Sequence, residues 1–208
     1  MVDDPLSLLA ELARDRAATL VSLGEDGYLT TMLPLIVATD GTRLEGHVAR
    51  ANPHWRALET QGRAIVIFQG ADAYISPAWY PEKRRNGKVV PTWNYSMVVV
   101  HGTITVRHEH EWKLANVRAL VDRHEARRED PWAVDDAPAD YIDVQAKAVV
   151  GLEMAIERID AKTKLTQNRS AEDFEGTLAA LGRGSSRERA VARDMESATK
   201  RPRDATHS

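Results

Sequence analysis

Hydrophobic residues recur along this chain at two periods, and the switches between them mark its elements. Leu6, Leu8, Leu9 and Leu12 return at helical spacing, which predicts a short amphipathic helix near the N-terminus. Residues 19–23 form a strand-like run ended by Gly24-Glu25-Asp26-Gly27, a hairpin-type turn. Residues 28–38 read as a second strand, with Asp40-Gly41 as the next turn signal. Residues 42–48 alternate, with Leu44, Gly46 and Val48 on one side and Arg43, Glu45 and His47 on the other. His47 is therefore expected to point away from the core, toward solvent or a partner subunit.

Asn52-Pro53 reads as a helix start, with Asn as the cap and Pro in the first helical position. Residues 63–69 are apolar on both faces, as a central strand is, and residues 73–76 read as a shorter strand closed by Pro77. Residues 82–88 are a polar loop. Further on, Val98, Val100, Ile104 and Val106 share one face of a long strand whose other face carries Tyr95, Met97, Val99 and His101. Leu114, Val117, Val121 and His124 fall on one stripe of a helix over 109–128, and residues 138–147 suit another. Residues 149–160 alternate, Val150, Leu152, Met154 and Ile156 inward. After Leu181 the apolar signal fades. The pattern thus predicts one domain over 1–181, with helical insertions, and a charged, mobile tail over 182–208. Six or seven strands joined by tight turns and crossed by a few helices predict a mainly β protein with helical additions, built as a closed antiparallel barrel.

Composition narrows the chemistry. The 208 residues hold no cysteine, so disulfides and thiolate metal sites are excluded, and a metal or heme must take His, Met, Tyr, Lys or carboxylate ligands. A formal net charge of −3 gives no overall pull toward nucleic acid. The Arg-rich tail lacks aromatics and interleaves Glu188, Asp194, Glu196 and Asp204, so nucleic-acid binding is not expected there. No basic segment followed by an apolar run opens the chain, and no stretch approaches ~18 apolar residues. The expectation is a cytoplasmic protein with no membrane contact.

Four segments carry polar and aromatic residues that strand periodicity does not require. In the run from Gly46 to Trp55, a basic, amide-rich strand end feeds a helix start, where free N–H groups and the helix dipole favour phosphate or carboxylate. The bland alternative makes Asn52 a cap and His47 a surface residue. Tyr74 to Tyr80 and Val90 to Tyr95 set aromatics beside Ser, Thr and Asn, which suits a planar ligand as well as it suits a plugged barrel end. Lys162 to Arg169 is an amide and cation cluster, or else a solvated loop. No nucleophile elbow, dinucleotide loop, P-loop or His-x-x-x-His pair is present.

At these segments, together with His124-Glu125 and Pro131-Trp132, the chain resembles the PaiB-like family, a branch of the FMN-binding split-barrel proteins related to pyridoxamine phosphate oxidase. The resemblance runs from about Leu20 to Leu181. It implies a split β-barrel homodimer with two cofactor sites in the subunit interface. By position, Arg50, Asn52 and His54, with Trp55 beside them, would face the anionic end of the cofactor. Thr31, Leu33 and Pro34 would border its ring, and Trp93, Asn94, Tyr95, Gln167 and Asn168 would close the pocket.

The departures point to one branch. The family commonly has His where this chain has Val99, Gly-Lys-Trp-Lys where it has Ala161-Lys162-Thr163-Lys164, and Ser where it has Thr166. Losing a His and a Trp makes room and removes polarity, which suits heme b better than FMN. The resemblance then extends to the heme-dependent piperazate synthases, which form the N–N bond that closes N5-hydroxy-L-ornithine, a small amino-acid substrate, into piperazic acid with loss of water. In that reading His47 is the iron ligand, with His54 and His101 as alternatives. Lys164 or Tyr95 carries the proton, and Arg50 pairs with a propionate or the substrate carboxylate. The alternative is an FMN-binding PaiB-like regulator or an FMN-dependent oxidoreductase.

Overall fold

In the computed structural model, residues 2 and 4–200 are described, the last two by their backbone alone. A helix, α1 (Pro5–Asp15), is capped by Asp4, whose carboxylate accepts from the Ser7 N–H at 2.9 Å. Then come the strands β1 (Ala18–Gly24), β2 (Gly27–Leu33), β3 (Ile36–Val37) and β4 (Arg43–Ala49), and the helix α2 (His54–Gln61). The long strands β5 (Arg63–Ile75) and β6 (Thr92–Arg107) flank a short helix, α3 (Glu82–Asn86). Two helices, α4 (His110–Glu125) and α5 (Ala139–Lys147), precede β7 (Val149–Lys164), and α6 (Ala171–Gly182) and α7 (Ser186–Lys200) follow it.

The seven strands form one sheet in the order β2-β1-β5-β6-β7-β4-β3. β1 pairs antiparallel with β2 and β5, and β4 with β3 and β7, with Leu20 opposite Thr31 and Val66, and Gly46 opposite Leu152. The described chain makes two compact units, Val2–Gln69 with Val98–Ala161, and Gly70–Met97 with Lys162–Lys200. In the larger unit the sheet curls on itself. Leu20, Leu33, Leu35, Leu44, Val66, Ile104, Leu152 and Met154, drawn from its successive strands, meet around a gap of about 10 Å³. A closed barrel of this size is filled by its own side chains, so a ligand must lie outside it. Gly46 permits the closure: a Cβ there would come within 2.6 Å of Leu35 and 2.8 Å of the Pro34 carbonyl.

Several expectations are corrected. The strand over 28–38 breaks at Pro34-Leu35, because proline has no N–H to give a ladder. The strands over 63–69 and 73–76 are one, β5, and the loop over 82–88 contains α3. On α4 the buried residues are Lys113, Asn116 and Leu120, whereas Leu114, Val117 and Val121 are half-buried and His124 is exposed. The helix is turned by Trp112, which lies flat enough on the sheet that a Cβ on Gly151 would meet its ring at 2.3 Å.

The single domain over 1–181 is instead two units, and β5, β6 and β7 each run from one into the other without a compositional break. Nor is the chain after Leu181 a mobile tail as far as it is described. Val191, Ala192 and Met195 of α7 are buried in the core of the smaller unit with Ile75, Tyr80, Leu165 and Leu181. The rest of the expected tail, 201–208, lies outside the described residues.

Candidate functional site

The first cluster belongs to the larger unit. Ser22 on β1 and Thr31 on β2 both face His54, the first residue of α2. Ser22 Oγ lies 2.8 Å from Nε2 and Thr31 Oγ1 lies 2.8 Å from Nδ1. Asn52 extends this chain: its Nδ2 donates to Thr31 Oγ1 at 3.1 Å, and its Oδ1 accepts the His54 N–H at 3.0 Å. The helix therefore starts one residue later than Asn52-Pro53 implied, and Asn52 closes a tight turn in front of it. His54 is 2% exposed, and burial pushes its imidazole below the ordinary pKa of 6.5. With both nitrogens bonded to hydroxyls it has no lone pair free for a metal, so it is not an iron ligand.

Beside this chain, Arg50 leaves the end of β4. Its Nε donates to the Lys147 carbonyl at 2.8 Å and its Nη2 to the Val149 carbonyl at 3.3 Å. Trp55 holds the Arg50 backbone, its indole N–H donating to the Arg50 carbonyl at 3.0 Å. Arg50 itself is exposed. His47 does point away from the core, but its partner is α4: Nδ1 lies 2.8 Å from Asn116 Oδ1. An amide oxygen only accepts, so Nδ1 carries a proton, and in the neutral ring the lone pair is on Nε2. Lys113, 3% exposed on the same helix, reaches the Val149 carbonyl at 3.5 Å. Burial, and then the charge of Arg50, lower its pKa.

Of the residues expected to border a ring, Thr31 is half-buried and Pro34 exposed, but Leu33 faces the barrel interior and offers a ligand no side chain. His101 is occupied too. Asp160 sits 3.0 Å from its Nε2, and the Arg158 guanidinium lies against the ring, so it is no free ligand.

The second group belongs to the smaller unit. Trp93 is exposed and packs edge-on against Tyr74, with centroids 6.2 Å apart, leaving an aromatic face open. Tyr95 is half-buried under the Lys162 ammonium. Lys164 donates to Thr92 Oγ1. Asn94 faces inward instead of closing a pocket: it is fully buried, its Nδ2 donating to Thr166 Oγ1 at 2.8 Å. Gln167 folds onto its own loop, accepting from the Leu165 N–H and donating to the Thr163 carbonyl, and Asn168 is exposed. Sequence reading missed Ser22, Lys113 and Asn116. Ser22 was detectable as a hydroxyl two residues beyond Leu20 on an inward strand face. Lys113 and Asn116 were hidden by the apolar stripe one position along α4.

Residues 2–158, which contain the first cluster whole, match the family described as "Putative FMN-binding domain". The chain belongs to that family. The protease synthase and sporulation protein PAI 2 of Bacillus subtilis is 32% identical over 165 residues, 78% of this chain and 77% of the relative. An uncharacterised Aspergillus fumigatus protein is 33% identical over 172 residues, covering 67% and 66%. Among solved structures, the FAD and heme binding protein of Mycobacterium smegmatis superposes with a TM-score of 0.58 at 19% identity, covering 84% of this chain and 77% of that one. The flavocytochrome Anf3 of Azotobacter vinelandii gives 0.56 at 15% identity, covering 84% and 73%. At such identities the likeness is one of fold, and the fold is the split barrel that the PaiB-like resemblance implied. The family match favours the flavin alternative over the heme-dependent cyclase inferred from Val99 and Thr163. Among the described residues, no helix is long and apolar enough to cross a membrane.

Proposed function

We propose that this protein binds FMN and acts as a PaiB-like flavoprotein of the oxidoreductase type. The carrying observation is that the stretch matched to the FMN-binding family contains a cation, Arg50, beside a linked set of neutral donors, Thr31, Asn52 and His54. This donor set suits FMN. Arg50 would pair with the phosphate, as a guanidinium does with any oxyanion. Asn52 and Thr31 would offer directional hydrogen bonds, and His54, kept neutral by burial, fixes their orientation without adding charge. Since the barrel is filled, the ring would lie outside its interior, beside the exposed Pro34, while Thr31, on the same face of β2 as Leu33, would act through its bonds to His54 and Asn52. Bound FMN supplies hydride and single-electron transfer at its ring; the residues named here bind it and hold it in place.

A second copy of the chain would complete the enclosure. Val21, Leu23, Tyr28, Met32, Ile65 and Ile67 carry an apolar stripe across the outer faces of β2, β1 and β5, in register, with Leu23 opposite Tyr28 and Val21 opposite Ile65. Tyr28 and Met32 are 81% and 75% exposed. A contiguous apolar face of this kind would serve as an interface, since a two-fold axis lets the same patch cover itself.

Titration with FMN, followed by quenching of flavin fluorescence, tests the reading. The full chain should bind with saturable affinity, and Arg50→Ala should weaken binding by about tenfold. Unquenched flavin at every protein concentration would refute it.

One observation favours heme as a second reading. His47 has Nδ1 held by Asn116, which leaves the lone pair of the neutral ring to Nε2, the arrangement in which imidazole serves as a metal ligand. Ring closure of N5-hydroxy-L-ornithine belongs to that reading, in which His47 would hold the iron. Added hemin would then give a Soret band that His47→Ala removes and His54→Ala leaves, whereas a band indifferent to His47→Ala would reject the ligand.

A further inference from the structure

Two cations in the larger unit share one weak acceptor. Arg50 Nη2 and Lys113 Nζ reach the same Val149 carbonyl oxygen, at 3.3 and 3.5 Å, and Arg50 Nε takes the Lys147 carbonyl at 2.8 Å. These carbonyls lie at the end of α5 and the start of β7. The bland account is that both cations cap a helix C-terminus. That end carries only about half a negative charge, however, against two full positive ones. Among the described residues no carboxylate lies within 4 Å of either cation. An ammonium as enclosed as that of Lys113 is costly without a counter-charge.

An independent observation points the same way. Asn116, one turn beyond Lys113 on the buried face of α4, is also only 3% exposed. Its Oδ1 is bonded to His47, but its Nδ2 is buried with no acceptor. Buried amide donors are rarely left unpaired. A guanidinium and an ammonium thus meet at one carbonyl, and a third donor, the Asn116 amide on the helix that carries Lys113, has no acceptor of its own.

From this we infer that Arg50, Lys113 and Asn116 form an oxyanion site, which takes a phosphate monoester or a carboxylate through the exposed guanidinium of Arg50. The inference rests on the flavin reading only for the source of the oxyanion. If FMN binds as proposed, its phosphate is one source; a free small anion is the other. Lys113 and Asn116 are new members of the site, reached from α4 and not from the strand end that carries Arg50.

The test compares the full-length protein with Lys113→Met, which keeps the length of the buried stem and removes the charge. Without flavin, inorganic phosphate should raise the thermal midpoint of the wild type and leave that of Lys113→Met unmoved. If the oxyanion is the cofactor's, Lys113→Met should bind FMN about tenfold more weakly and riboflavin with unchanged affinity. If it is a free anion, FMN affinity stays the same while the phosphate response is lost. A folded Lys113→Met that keeps both the phosphate response and the FMN affinity overturns the site. Should Lys113→Met fail to fold, Asn116→Asp sets a carboxylate where the anion would lie and must abolish the phosphate response; a retained response overturns the site equally. A wild type that binds no flavin but is stabilised by phosphate refutes the flavin reading and leaves the anion site standing.

Discussion

His54 is enclosed almost completely, and its two ring nitrogens meet hydroxyls, not charges. Nothing nearby compensates an imidazolium, so burial sets its pKa below the ordinary 6.5. In the unfolded chain the ring takes its proton near 6.5. The stability that His54 contributes is therefore complete above that pH and is lost as pH falls toward the folded-state pKa. Urea midpoints measured from about pH 7.5 down to about pH 5.5 should fall in the wild type, and His54→Gln should flatten part of that fall. At neutral pH the same substitution should cost about 1–3 kcal/mol, as Ser22 and Thr31 lose a shared partner. An undiminished pH slope in His54→Gln would contradict the account. At this scale the sequence was half legible. Asn52 and His54 stood out because a strand end running into a helix start is a recognisable anion-binding pattern. Leu33 and Asn94 misled, because which face of a strand is inward depends on pairing that a residue list does not contain. Lys113 gave no signal, since a lysine beside an apolar stripe reads as solvent-facing.

Among the elements, α7 shows how composition can hide a packed helix. Its arginines and serines made it look like solvated tail, yet Val191 and Met195 sit at helical spacing and are wholly buried. Two or three apolar residues among charges are enough when a waiting surface exists, here the one offered by Ile75, Tyr80 and Leu181. Met195→Ala should destabilise the protein by about 2–4 kcal/mol. A lowered urea midpoint would show this, and an unaltered midpoint would mean that α7 does not dock. The strands were the most legible elements, because a period of two survives any packing detail. Helix α4 was legible in extent but not in rotation, since the contact between Trp112 and Gly151 sets its roll and polar Lys113 and Asn116 face inward.

For the whole molecule, the mainly β barrel was legible, while its division into two units was not, because the three long strands cross the boundary in mid-run. The filled barrel leaves the outside of the sheet as the place for chemistry. There lies the apolar stripe from Met32 to Ile67, and Arg50 is exposed where β4 ends. The branch within the family was over-read: missing side chains at Val99 and Thr163 are evidence of space, and space alone does not choose a cofactor. The most direct test is sedimentation velocity of the purified, FMN-saturated protein, recorded in the protein and flavin absorbance bands together. The account predicts one boundary at the mass of two chains, carrying one flavin per chain. Flavin left behind in the free fraction while the protein sediments without it would contradict the central claim.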